Sequence, residues 1–358
     1  MPSITITFQQ LGITAIKRSE KGVLGMIIVD TSSTVKGEHI LTNVTDIASG
    51  KLANLANANK AQIQLAFMGY TNPPRKIMVY VVDGTEKTLN DALTYFATQE
   101  FDYLVAPHDI TDAESQTVVS WVKSERQNNH LAKAVLPIIT ADTEGVVNFV
   151  TEEIVAGTQT FTTAEYCSRI AGLIAGTPMT ISATYAPLPE VTNCSRLTKA
   201  ERNEAIDAGK FIIWHDGKQV LTGRAVNSLT TTSQEKGDKF KKIKLVEVMD
   251  MIANDIRTTT QENYIGKYAN SYDNKCLLIT AIQGYLKGLE QSGILARGTS
   301  DVEIDVESNG LYLTQNGIDT SEMTEQQIKE ADTGSSVFLL VRVTILDAIE
   351  DITIRVTI

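Results

Sequence analysis

Hydrophobic and polar residues alternate strictly near both ends of the sequence. Near the C-terminus the apolar positions are Ile352, Ile354, Val356 and Ile358. Near the N-terminus they are Ile4, Ile6 and Phe8. The residues between them are threonine or arginine, so each segment has a period of two and predicts a β-strand. Strands at the ends of a chain can pair with a sheet edge, either in their own subunit or in a neighbour.

Between these ends, continuous apolar segments alternate with segments of helical periodicity. The strand-like segments are residues 22–30, 77–82, 103–106 and 134–139. Apolar residues recur at helical spacing over residues 46–68, 88–98, 112–122 and 163–176. The run Met26-Ile-Ile-Val29 is continuous, which is typical of a strand covered on both faces. The alternation predicts a mostly parallel sheet with helices on its faces.

The pattern changes after Ala186-Pro-Leu-Pro189, which we predict to be a domain boundary. Beyond it the sequence predicts a hairpin over residues 211–221, with Asp216-Gly217 at its turn. Amphipathic helices follow over 243–257 and 274–292, and strands over 302–313 and 337–346. The predicted fold class is therefore α/β in the first half and α+β in the second.

Length and charge narrow the functional classes. A chain of 358 residues is long enough for two or three domains. Its net charge of −11 and its aromatic content of 6% argue against a surface that binds nucleic acid. No apolar run approaches the roughly 18 residues that a membrane helix needs, and no signal-peptide pattern opens the sequence. We therefore expect a protein that folds in the cytoplasm, without membrane insertion.

Candidate chemistry is sparse. The sequence contains no P-loop, no G-x-G-x-x-G after a strand, no H-E-x-x-H and no G-x-S-x-G. His108 follows a predicted strand end, where α/β enzymes place catalytic groups, but a loop histidine is the more ordinary interpretation. The three cysteines, Cys167, Cys194 and Cys276, lack metal-site spacing and are expected to be free thiols. We predict no catalytic residue, no metal and no cofactor.

One cluster of charge departs from the acidic average. Five lysines fall within nine residues, opposed only by Asp238: Lys236, Lys239, Lys241, Lys242 and Lys244. A solvated loop is the simplest explanation. Cations are disfavoured near a helix N-terminus, so the position also suggests an acidic partner.

Several segments together resemble the tail sheath proteins of contractile phages and R-type bacteriocins. They are residues 223–231 (GRAVNSLTT), 242–252 (KIKLVEVMDMI), 255–257 (DIR), 264–270 (YIGKYAN) and 346–358 (LDAIEDITIRVTI). Residues 14–22 (TAIKRSEKG) resemble the start of short sheaths from Gram-positive prophages and diffocin-like bacteriocins. The resemblance depends on the occurrence of these segments together and in this order.

The resemblance implies a structural subunit that forms a homopolymer of hexameric rings, stacked helically around an inner tail tube. Baseplate and terminator proteins would be further partners. Contraction would drive the tube through a target envelope, and assembly would occur in the bacterial cytoplasm before release in a phage tail or bacteriocin particle. Terminal arms would link neighbours by strand addition: residues 1–24 at one end, and residues 347–358, which we call the C-terminal arm, at the other.

In this interpretation residues 25–188 form the outer domain, and residues 189–346 form the inner assembly domain together with the N-terminal arm. The lysine cluster is then a candidate contact with the tube. Two alternatives stay open: a cytoplasmic α/β enzyme such as a hydrolase, and another self-assembling module such as a tube or capsid protein. An enzyme should form a discrete oligomer, whereas a sheath should form long tubes.

Overall fold

The computed structural model describes residues 15–32 and 35–357 of the chain. These residues fall into two compact units. The larger unit comprises Glu20–Val248 and Asp347–Ile358, and the smaller comprises Met249–Leu346 with the N-terminal residues up to Ser19. The division therefore lies about 60 residues beyond the predicted boundary at residue 188. The inner and outer positions of the domains stay a prediction.

A twisted sheet forms the centre of the larger unit. Its strands are β1 (Val23–Val29), β2 (Gly37–Leu41), β3 (Lys76–Val82), β4 (Tyr103–Val105), β5 (Ala134–Pro137), β6 (Val146–Phe149) and β10 (Lys210–Phe211). Their order in the described sheet is β10-β6-β5-β4-β1-β3-β2. All neighbours are parallel except β2, which pairs with β3 in antiparallel orientation at the edge. The predicted parallel α/β architecture is confirmed.

Helices cover both faces of this sheet. They are α1 (Asn57–Phe67), α2 (Leu89–Phe96), α3 (Asp112–Gln127) and α4 (Thr163–Ala175). In β3, Ile77, Val79 and Val81 lie in the core with α1 and α4, whereas Met78, Tyr80 and Val82 lie in the core with α2 and α3. Side chains alternate across a strand, so burial of both sets explains the continuous apolar runs in the sequence.

Short elements complete the larger unit. They are β7 (Ile154–Ala156), β8 (Gln159–Phe161), β9 (Val191–Asn193), α5 (Lys199–Asp207), β11 (Ile213–His215) and β12 (Val220–Thr222), with 3-10 turns at Val44–Ala48, Gly50–Asn54 and Asp238–Lys241. The predicted hairpin is present as β11 and β12. Its expected first residue, Phe211, instead belongs to β10 in the main sheet, which is why the residues after 189 stay with the larger unit.

The smaller unit is built mainly from helices. Its elements are α7 (Tyr272–Gln291), β13 (Asp301–Ile304), α8 (Val306–Gln315), α9 (Glu325–Glu330) and β14 (Leu339–Arg342). Helix α6 (Ile243–Asn263) begins in the larger unit and ends in the smaller one. β13 and β14 form an antiparallel pair.

The strand predicted over residues 302–313 is wrong after Ile304. Residues 306–315 form α8, because Asp305 caps this helix by accepting the backbone N–H of Ser308 at 3.0 Å. The strand predicted over residues 352–358 is absent from the described part of that segment within the subunit.

Candidate functional site: the C-terminal arm

The C-terminal arm has two parts with opposite surroundings. Its distal part, residues 352–358, has neither helix nor strand as far as residue 357. Ile352, Ile354 and Val356 are between 74% and 79% exposed. Three β-branched side chains held in water at alternating positions lack the burial that normally accompanies this pattern. The described residues therefore leave an apolar, alternating segment in contact with water.

The root of the arm, residues 347–351, is held by the larger unit. Glu350, whose side chain is only 6% exposed, accepts hydrogen bonds from Thr184 Oγ1 at 2.7 Å and from Lys242 Nζ at 3.0 Å. Lys242 also pairs with Asp347. Arg224 Nη2 donates to both oxygens of Asp351, at 2.7 and 2.9 Å. We call these six residues the clasp: Thr184, Arg224 and Lys242 with Asp347, Glu350 and Asp351.

Backbone pairing brings the two cations of the clasp together. The N–H of Ile243 donates to the carbonyl of Ala225, and the N–H of Asn227 donates to that of Lys241. The segment after β12 therefore runs antiparallel to the start of α6, which places Arg224 close to Lys242. Burial opposes the positive charge on Lys242, but its bonds to Asp347 and Glu350 prevail and raise its pKa.

Thr184 is fixed in one orientation by its surroundings. Its hydroxyl oxygen accepts from Ser182 Oγ at 2.9 Å and from the N–H of Ala225 at 3.0 Å, so its proton points to Glu350. The next residue, Tyr185, has a φ of 55°. A bulky residue in this left-handed region costs about 1–2 kcal/mol, and it persists only where neighbouring contacts impose it.

Strand β14 offers an edge to which a further strand could bind. The N–H of Asp305 bonds to the carbonyl of Phe338, so the bonded pairs of this ladder continue at every second residue, through Leu340 and Arg342. The backbone groups of Leu339 and Val341 therefore point away from β13. Among the described residues no other strand pairs with β14.

Four of the five clustered lysines make contacts inside the subunit. Lys236 pairs with Glu144 at 2.8 Å, Lys241 with Asp238 at 2.9 Å, and Lys242 belongs to the clasp. Lys244 is buried, and burial lowers its pKa. Lys239 is exposed, and no ion pair involves it in the described part of the chain. The predicted contact with a tube therefore rests mainly on Lys239.

The remaining sequence candidates lie apart from one another. His108 lies in the loop after β4, near the carboxyl edge of the main sheet. The neighbouring N-termini of α2 and α3, which could otherwise bind phosphate, are capped by the carboxylates of Asp91 and Glu114. Cys167 and Cys194 are buried, which raises the pKa of both thiols. Ile4, Ile6, Phe8 and Ile358 lie outside the described residues.

Within residues 15–32 and 35–357, no three histidine, cysteine or acidic side chains group in a way that could hold a metal ion. The helices in the same ranges are all too short or too polar to cross a membrane.

Two models of phage tail sheath domains match the sequence. The central domain matches residues 84–228, and the C-terminal domain matches residues 235–358. A tail sheath protein of Clostridium phage phiCD119 is 39% identical over 362 residues, covering 99% of this chain and 98% of the relative. The chain belongs to the phage tail sheath protein family. It is a structural tail sheath subunit and not an enzyme.

Solved sheath structures share the fold. The helical sheath of the anti-feeding prophage in its contracted state has a TM-score of 0.73 at 16% identity, covering 99% of this chain and 98% of that chain. The contracted sheath of the extracellular contractile injection system PVC has a TM-score of 0.72 at 13% identity, covering 100% and 97%. The expected resemblance and the mixed α/β fold are confirmed.

Sequence analysis missed two residues of this site, Thr184 and Arg224. Arg224 lies within the GRAVNSLTT segment, and the carboxylates of residues 347, 350 and 351 are visible in the sequence. An acidic group next to an apolar alternating segment could have prompted a search for basic partners. The sequence could not identify which cations those are.

Proposed function

We propose that this sheath subunit polymerises into hexameric rings stacked helically around an inner tail tube, and that contraction of the array drives the tube through a target envelope. Family membership and the exposed, alternating distal part of the C-terminal arm support this proposal. In this proposal assembly takes place in the bacterial cytoplasm, and the sheath leaves the cell as part of a phage tail or bacteriocin particle.

Subunits are linked by strand exchange in this proposal. The distal part of the C-terminal arm adds to the β14 edge of a second copy, where the backbone groups of Leu339 and Val341 point away from β13. The N-terminal segment with Ile4, Ile6 and Phe8 would act as a second arm. Strand β14 has four residues, and the distal part of the arm spans residues 352–358. The arm is therefore long enough to pair with the whole of the β14 edge.

Magnitudes suggest that one such link is weak. An added strand of about six residues forms several backbone hydrogen bonds, each worth about 1 kcal/mol net. Burial of each β-branched side chain contributes about 2 kcal/mol. Ordering the arm costs about 1–2 kcal/mol per residue, which offsets most of this gain. The strength of the array would then come from repetition of the link at every subunit.

Other proposed partners are the tube protein, the baseplate and a terminator protein. Lys239 is the proposed electrostatic contact with the tube, since it is the clustered lysine that is both exposed and without an ion pair in the described residues. Such a contact would have to be weak so that it can break during contraction, and exposed charge pairs typically contribute less than about 1 kcal/mol. No contact with nucleic acid and no insertion into a membrane is proposed.

Negative-stain electron microscopy of the full chain and of a chain ending at Asp351 tests the linkage. The shorter chain keeps the clasp and loses only the distal part of the arm. We expect tubes from the full chain and separate subunits from the shorter one.

A matched pair of substitutions sharpens the test. Ile354→Lys places a charge on the apolar face of the proposed strand, whereas Thr353→Lys places it on the polar face. We expect Ile354→Lys to abolish tubes and Thr353→Lys to retain them. Tubes of equal number from the chain ending at Asp351 would contradict linkage by the C-terminal arm.

A further inference from the structure

The clasp holds one part of the C-terminal arm and leaves the next part in water. The side chain of Glu350 is almost fully buried against Thr184 and Lys242, whereas Ile352, two residues later, is 74% exposed. Ile349, between the anchored carboxylates, is 87% exposed and contributes little apolar burial. Polar contacts, rather than hydrophobic packing, therefore hold the root of the arm.

We propose that the clasp is an intramolecular binding site for the acidic root of the arm, and that it sets how much of the arm is available to a second copy. When it is closed, the available segment begins at Ile352. When it is open, the segment begins at Asp347. The second half of this inference rests on the proposed exchange of arms, whereas the first half does not.

The charges of the site match its occupant. Arg224 and Lys242 contact three carboxylates, and the buried Lys244 adds positive potential close to Asp347 and Glu350. Burial alone would lower the pKa of Arg224, but its bonds to Asp351 and its attraction to Glu350 raise it. Glu350 occupies the centre, where a guanidinium, an ammonium and a hydroxyl all face its carboxylate. Truncation of this one side chain should weaken the clasp most.

Opening of the clasp would change the reach of the arm substantially. Five residues, from 347 to 351, extend at most about 17 Å at roughly 3.4 Å per residue. This distance is more than three times the spacing of neighbouring strands in a sheet, about 4.8 Å. A closed clasp therefore restricts the places on a neighbour that the distal part can reach.

Spin labelling of the full chain tests whether the clasp holds the root. A nitroxide is attached at Ile349→Cys or, in a second protein, at Thr353→Cys. Both carry Cys276→Ser, since Cys276 is half-buried while Cys167 and Cys194 are buried. Spectra are recorded on dilute protein that sedimentation shows to be unassembled. We expect a more immobilised spectrum at residue 349, whose backbone the clasp anchors although its side chain is exposed, and a mobile one at residue 353.

Substitutions then assign the immobilisation to the clasp. Lys242→Met combined with Arg224→Met, and separately Glu350→Gln, should convert the spectrum at residue 349 to the mobile form. Lys242→Arg keeps the charge and should retain the immobilised form, as should Lys239→Met, which removes a neighbouring lysine outside the clasp. High salt should mobilise the label at residue 349 in the protein with an unsubstituted clasp. This measurement does not depend on whether a clasp variant folds.

Two spectral results would overturn the inference. One is a label at residue 349 as mobile as that at residue 353 in the unsubstituted protein. The other is an immobilised label at residue 349 in every variant and at high salt, because contacts other than the clasp would then hold the root.

Electron microscopy of the same variants tests whether the clasp limits how far the C-terminal arm can extend towards a second copy. We expect the neutralised clasp to give fewer and less regular tubes than Lys239→Met does. Tubes indistinguishable from those of the unsubstituted protein would contradict that role. If the chain ending at Asp351 also formed tubes, arm exchange would fail, while the spectra would still decide whether the clasp exists.

Discussion

Lys21 and Glu247 form a buried ion pair at the start of the larger unit. Lys21 Nζ lies 2.7 Å from Glu247 Oε2 and also donates to the carbonyl of Thr177 at 2.9 Å. Burial raises the pKa of Glu247, and the charges of Lys21 and Lys133 only partly oppose this shift. Glu247 therefore has a higher pKa in the folded protein than in the unfolded chain. The fold loses stability as the pH rises from the ordinary pKa of glutamate through this raised pKa, because the buried carboxylate then becomes charged.

The single substitution Lys21→Met should be strongly destabilising at neutral pH. It leaves Glu247 buried without its nearest cation, a situation that costs about 3–5 kcal/mol. The cost should shrink as the pH is lowered, because Glu247, whose pKa is raised, no longer needs a positive partner once it is protonated. Urea unfolding of the protein and the variant at pH 7.5 and pH 5 measures both values.

The double variant Lys21→Met with Glu247→Met is the control for this prediction. It removes both charges and should be close to neutral in stability, because an apolar pair of similar volume requires no desolvation of ions. Equal losses of stability at both pH values for Lys21→Met would show that its contribution is packing rather than charge.

At the scale of elements, helices α1 and α4 pack closely against each other in the larger unit. A Cβ atom on Gly172 would lie 2.0 Å from the carbonyl oxygen of Ala66, which is backbone and cannot rotate away. Helix α4 is buried along nearly its whole length, so the absence of a side chain at this position allows α1 to pack against it.

Gly172→Ala should therefore destabilise the protein by about 1–3 kcal/mol, the range expected for overpacking of a core. Gly288→Ala, on α7, is the matched control because, among the described residues, nothing beyond the local helix lies within 4 Å of the added methyl group. It should be neutral or stabilise by up to about 1 kcal/mol through helix propensity. Thermal melting of both variants compares them directly, and similar melting temperatures would contradict the assigned backbone contact.

Elements also show where periodicity misleads. Apolar residues at 302, 304, 306, 311 and 313 suggested one long strand, but Asp305 and Ser308 form a helix cap in the middle of it. Four-residue strands such as β13 are shorter than the window in which a period of two can be distinguished from helical spacing. The pairing of Asp305 with Ser308 is a more specific sign of a helix start than the apolar spacing is of a strand.

At the scale of the whole molecule, an acidic subunit of net charge −11 carries a local cluster of lysines. Most of this cluster is neutralised internally, so a tube contact would depend on Lys239. Lys239→Glu should reduce co-assembly with purified tube protein several-fold at low salt and less at high salt, because exposed charges are screened. Co-sedimentation of sheath and tube measures this.

The matched control is Lys218→Glu, in the exposed turn between β11 and β12. It changes the net charge equally but lies outside the lysine cluster. If both variants co-assembled equally well, a specific tube contact by Lys239 would be excluded.

The sequence by itself determined the parallel α/β architecture, the positions of most long helices and the apolar alternation at the C-terminus, because these follow from local periodicity. The tertiary structure decided which unit residues 189–248 join, and that Glu350 is held by Thr184 and Lys242. These depend on contacts between residues more than 60 positions apart. The local pattern of hydrophobic and polar residues does not specify such contacts, because any of several lysines and arginines in the sequence could form an ion pair with the same carboxylate.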